Sequence, residues 1–79
     1  MSPEEVQALL ENALPDCQFQ VATDGGHFNI VAIGDTFEGK RPVQRQQVVY
    51  GALNEQISSG VIHAVNMKTF TPTEWENRA

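Results

Sequence analysis

A chain of 79 residues carries enough apolar surface for one small core, so a single domain over 1–79 is expected, with marginal stability or a stabilising partner. Its 41% hydrophobic and 19% charged residues are those of a globular chain and not of a disordered one. Ten acidic against five basic side chains leave a formal charge of -5, which sets the molecule as a whole against nucleic-acid phosphates unless its few cations cluster.

The first residues, Met1-Ser2-Pro3-Glu4-Glu5, lack the basic and apolar regions of a secretion signal. No apolar run approaches the length of a membrane span, and a soluble cytoplasmic protein is expected. Ser2-Pro3-Glu4-Glu5 instead reads as a helix start, with Ser2 as N-cap, Pro3 at the first helical position and Glu5 closing a capping box. Val6, Leu9, Leu10, Ala13 and Leu14 share one stripe, and Pro15 stops a helix predicted over 3–14. From Cys17 the period changes to two. Phe19 and Val21 share the Cys17 face up to Asp24-Gly25-Gly26, a hairpin signal that returns the chain along His27 to Ile33. Beyond Lys40-Arg41-Pro42, the residues Val43, Gln47, Tyr50, Leu53 and Ile57 recur at helical spacing, which predicts a long helix stopped at Ser58-Ser59-Gly60. Val61 to Phe70 alternates as a third strand, with Val61, His63, Val65 and Met67 on one face and Ile62, Ala64, Asn66 and Lys68 on the other. Thr71-Pro72-Thr73-Glu74 then repeats the box and places Trp75 on a short last helix that packs back. The order αββαβα gives an α+β fold, a three-stranded sheet with helices packed on one face.

Few residues offer chemistry. Cys17, the single cysteine, excludes an intramolecular disulfide framework and a zinc finger, and its position beside Phe19 and Val21 suits a small buried hydrophobe. His27 and His63 open two strands, either as hydrogen-bonded edge residues or as metal or cluster ligands, since neutral imidazole is the commonest metal ligand. No nucleophile, base and orienting group form a recognisable set, so an enzyme is not expected. Gly25-Gly26 fits a hairpin turn better than an anion cradle. Lys40, Arg41 and Arg45 gather three of the five cations at the entry to the long helix, where positive charge opposes the helix dipole. This patch is either a solvated helix face or a contact for an anion, a phosphate or an acidic partner.

Phe37-Glu38-Gly39-Lys40, Gln44 to Tyr50, Ile62-His63-Ala64-Val65 and Lys68 to Trp75, taken together in this order, resemble the BolA family, in its short bacterial IbaG-like (YrbA) branch. The resemblance runs from the first helix to Trp75. It implies a class II KH-like αββααβ fold plus a short C-terminal helix, with the additional helix near Gly39 to Val43. It also implies a partnership with a monothiol glutaredoxin, with or without a shared [2Fe-2S] cluster, and roles in stress response and transcriptional regulation. By the same resemblance His63 is the first choice for a cluster ligand and His27, beside the loop between the first two strands, the second, with Cys17 as the alternative. A cluster needs four ligands, so the glutaredoxin cysteine and glutathione would complete the set, and imidazoles in place of thiolates raise the potential. Lys40, Arg41 and Arg45 would contact the partner, the glutathione carboxylates or nucleic acid. The competing implication is a KH-like DNA- or RNA-binding regulator. A KH domain grips the backbone with a GxxG loop, and Gly39-Lys40-Arg41-Pro42 lacks the second glycine, so weak and salt-sensitive DNA binding is the most expected of this chain. Alone, the chain is expected as a monomer or homodimer.

Overall fold

The computed structural model describes residues 1–78. Its elements are α1 (Pro3–Ala13), β1 (Gln18–Asp24), β2 (His27–Ile33), a 3-10 turn (Asp35–Phe37), α2 (Pro42–Ala52), α3 (Asn54–Ser58), β3 (Ala64–Phe70) and α4 (Pro72–Glu76). The predicted capping boxes form at both ends of the chain. Ser2 Oγ accepts from the Glu5 N–H at 3.2 Å while Glu5 Oε1 accepts from the Ser2 N–H at 3.0 Å. Thr71 Oγ1 and Glu74 Oε1 make the same exchange at 3.2 and 2.8 Å. Each box satisfies amide groups that the first helical turn leaves without an internal acceptor.

The two-residue loop Gly25-Gly26 joins β1 to β2 with both glycines at positive φ, +58° and +87°, the combination a tight hairpin turn demands. Antiparallel pairing runs from Gln18↔Ile33 to Asp24↔His27. β3 pairs in parallel with β2, from His27↔Ala64 to Ile33↔Phe70, giving the sheet order β1-β2-β3. The register places Phe19 and Val21, Phe28, Ile30 and Ala32, and Val65 and Met67 on one face. Val6 and Leu10 of α1, Val49 of α2, Leu53 just after it, Phe37 and Ile62 close over that face as one core. The opposite face carries Gln18, Gln20, Asn29, Asn66 and Lys68, all exposed. At its far corner Trp75 of α4 meets Phe70 edge-on, with centroids 5.2 Å apart.

The segment between β2 and β3 departs from the predicted pattern. The long helix is two helices. At Leu53 the backbone leaves helical geometry and its N–H turns back to the Tyr50 carbonyl at 3.0 Å, while its side chain is fully buried. The additional helix therefore follows α2 as Asn54–Ser58 instead of preceding it near Gly39 to Val43. The buried stripe of α2 also differs, because Val49 and Leu53 are fully buried whereas Val43 is 63% and Tyr50 40% exposed. Apolar residues at 43, 48, 49, 50, 52 and 53 surround the helix, so spacing alone does not select a face. Packing against the sheet selects the Val49 side.

Candidate functional site

The parallel pairing of β2 with β3 puts the starts of both strands at one end of the sheet. His27 is the first residue of β2, and its partner across the ladder is Ala64, the neighbour of His63. Adjacent strands lie about 4.8 Å apart, so the two histidine backbones sit within one residue step of direct opposition. Both are exposed, and among the described residues neither imidazole makes a hydrogen bond. Further along the paired strands, Asn66 Nδ2 donates to Asn29 Oδ1 at 3.3 Å across directly paired positions. This side-chain bond reinforces the register that sets both histidines at one end of the sheet.

His63 does not lie within a strand. β3 begins at Ala64, after the predicted start at Val61, and the faces expected upstream of it are reversed: Ile62, expected with Asn66 and Lys68, is 1% exposed, while Val61, expected with Val65 and Met67, is 52% exposed. Ile62 drops into the core and its N–H donates to the Gln56 carbonyl at 3.1 Å, so His63 emerges directly after a fixed anchor. Gly60, at φ +82°, turns the chain out of α3, and a Cβ there would meet His63 Cε1 at 3.7 Å. The sequence marks Gly60 as a helix stop but does not show that it adjoins the imidazole.

Cys17 stands at the other end of the sheet, just before Gln18, whose ladder partner is Ile33. The length of β2, about 20 Å at 3.3 Å per residue, separates it from the histidine end, which removes it as the alternative second ligand beside His63. It is 7% exposed. Burial, then the charges of Asp16 and Asp35, pushes its thiol pKa up, and disfavours the thiolate that metals bind. The pocket around it also excludes bulk, since a Cβ on Gly34 would lie 2.5 Å from Cys17 Sγ.

The three clustered cations have different fates. Arg45 points back into the fold: its Nη1 is 2.6 Å from Glu74 Oε1, its Nη2 3.3 Å from Oε2, and its Nε donates to the Lys40 carbonyl at 2.9 Å. It therefore ties α2 to the cap of α4, which withdraws it from the expected contact surface. Glu74, which the sequence showed only as a cap residue, is its partner. Lys40 Nζ donates to the Thr36 carbonyl at 2.6 Å, stapling the 3-10 turn. Arg41 is exposed, and its N–H donates to Gln44 Oε1 at 3.0 Å at the start of α2. Among the described residues no three His, Cys, Asp or Glu side chains converge as a metal-binding group, and no helix is long and apolar enough to cross a membrane.

Comparison with known proteins places this arrangement. The BolA family, described as BolA-like protein, matches residues 3–74. Acid stress protein IbaG of Escherichia coli (strain K12) is 45% identical over 75 residues, covering 95% of this chain and 89% of that protein. A bolA protein homologue from Coxiella burnetii superposes with a TM-score of 0.86 at 33% identity, over 98% of this chain and 99% of that one. The BolA domain of SufE1 from Arabidopsis thaliana gives a TM-score of 0.77 at 28% identity, over 91% of this chain and 93% of that domain. A family match over nearly the full length, joined to a sheet order and helix arrangement shared with solved BolA structures, establishes that the chain belongs to the BolA-like protein family.

Proposed function

We propose that this protein is a non-enzymatic partner of a monothiol glutaredoxin and shares a [2Fe-2S] cluster with it in a heterocomplex, serving iron-sulfur trafficking or iron and stress regulation. The observation that carries the reading is the pair of exposed imidazoles, free of hydrogen bonds among the described residues, at neighbouring strand starts. The donor set fits. Two neutral imidazoles are competent ligands, and the cluster's other two positions would fall to the glutaredoxin cysteine and a glutathione thiol. Bound there, the cluster would supply electron transfer or a transferable iron-sulfur unit, at a potential raised by imidazole in place of thiolate. The part of this chain is to hold His63 and His27 open to a partner and to keep the sheet end beneath them rigid. Arg41, the exposed cation at the entry to α2, is the proposed contact for an acidic group of the partner or of glutathione. The acid stress name of the Escherichia coli relative is consistent with the stress context. The nucleic-acid reading gains less, because Arg45 is spent in an ion pair and the Gly39-Lys40-Arg41-Pro42 loop offers one glycine where a KH grip uses two.

The test is visible absorption and circular dichroism after mixing with a cluster-loaded monothiol glutaredoxin and glutathione, with His63→Ala, His27→Ala and Arg41→Glu alongside. A new cluster spectrum that is lost in His63→Ala and altered in His27→Ala is expected, with Arg41→Glu weakening the complex but leaving the spectrum of what forms unchanged. A glutaredoxin spectrum that does not change on mixing overturns the cluster reading, and binding without it leaves a cluster-free adaptor.

A further inference from the structure

We infer that Gly60 and Ile62 form the seat that orients His63, an inference that rests on the reading of His63 as a ligand. The chain leaves α3 through a turn in which the Gly60 N–H donates to the Ile57 carbonyl at 3.2 Å, and Gly60 adopts φ +82°. That left-handed conformation is open to glycine, tolerable for asparagine and costly for alanine or branched residues. Two residues later Ile62 is held twice, by full burial of its side chain and by its N–H on the Gln56 carbonyl at 3.1 Å. His63 is thus bracketed. Its backbone follows a residue that cannot shift without opening the core, and its ring edge, at Cε1, lies 3.7 Å from the position a Gly60 Cβ would take. The exposed ring thus lies beside the turn that releases it. A ligand held this way loses less rotational freedom on binding, which is how residues behind a metal ligand raise its affinity. Gly60 and Ile62 are positioning residues, since neither offers a donor atom of its own side chain.

The two substitutions that separate this role from crowding are Gly60→Ala and Gly60→Asn. Alanine is small but resists positive φ; asparagine is larger but accepts it. At 3.7 Å a Cβ stands at ordinary contact distance from the ring, so space is not the obstacle. The expected order is therefore the inverse of size. In the free protein, NMR should show a through-space contact between the His63 ring proton on Cε1 and the Gly60 α protons, kept at residue 60 in the asparagine variant and lost in the alanine variant. Sheet amide signals report that each variant is folded. With cluster-loaded glutaredoxin, the alanine variant should bind about tenfold more weakly and the asparagine variant close to wild type. No ring contact in the wild-type protein, or alanine performing as well as asparagine, overturns the seat. If the ring contact and its order among variants stand while no cluster spectrum forms even with wild-type protein, the ligand reading fails and the seat does not.

Discussion

Two side chains show how a single atom's surroundings fix a residue's role. Cys17 and Gly34 are matched to each other: with Sγ 2.5 Å from where a Gly34 Cβ would stand, only glycine leaves room. Gly34→Ala is expected to destabilise the fold by about 1–3 kcal/mol through overpacking. Cys17→Ala in the same chain should recover part of that loss, because the sulfur is gone but the Cys17 Cβ and Cα remain 3.2 and 3.3 Å away. Urea denaturation of the two single variants and the double variant measures the coupling, and purely additive effects would contradict the contact. Glu74 illustrates an electrostatic match. A hydrogen bond from Arg45, then the Thr71 N–H, holds its carboxyl below the ordinary value of 4.5. A carboxylate with a depressed folded-state pKa stabilises the fold above its unfolded pKa, and that contribution fades as pH falls through the folded value. Thermal melts should therefore be flat down to about pH 4.5 and decline below it. Glu74→Gln should start lower and decline less steeply. The carboxylate is half exposed, so the effect is small, and Glu5, lowered in the same way by Ser2, leaves a residual acid dependence. An acid limb of identical steepness in wild type and variant would show that the pair contributes nothing.

Among the elements, α2 is the one whose sequence misleads, and the cause is local. The strands and capped helices carry unambiguous signals: a period of two bounded by Gly25-Gly26, and twin Ser/Thr-Pro-x-Glu starts. In α2 the run Val48-Val49-Tyr50 and the isolated Val43 offer several apolar stripes, so the buried one is decided by what the helix meets in space. The observed choice makes a direct prediction. Leu53→Ala, at the junction of α2 and α3, should cost about 2–5 kcal/mol, whereas Val43→Ala should stay within about 0.5 kcal/mol. Equilibrium unfolding in urea distinguishes the two, and a large loss at Val43 would restore the stripe expected from spacing. The break at Leu53 has the same origin. No proline marks it, but Gly51 weakens the last turn of α2, and the fully buried Leu53 follows at the point where helical geometry ends.

For the molecule as a whole, the element order, the hairpin and the family were legible in 79 letters because each rests on local punctuation or on an ordered set of motifs. The parallel pairing of β2 with β3 was not, since nothing near Ala64 names its partner. With it went the placement of His27 and His63 at the same end of the sheet. The clustering of Lys40, Arg41 and Arg45 in sequence suggested one patch. Glu74, distant in sequence, turns Arg45 inward and leaves Arg41 as the outward cation among the three. The crossover has a further consequence, for the order in which a nascent chain acquires the site. His27 meets its hairpin partner through local pairing, whereas His63 reaches the same sheet end only when β3 pairs with β2 across the intervening 3-10 turn, α2 and α3. Non-local parallel closure of that kind is a late and slow event in folding. A chain arrested before it presents a lone imidazole, so a ligand that needs both histidines discriminates finished molecules from unfinished ones and, by mass action, adds its binding free energy to the finished state alone.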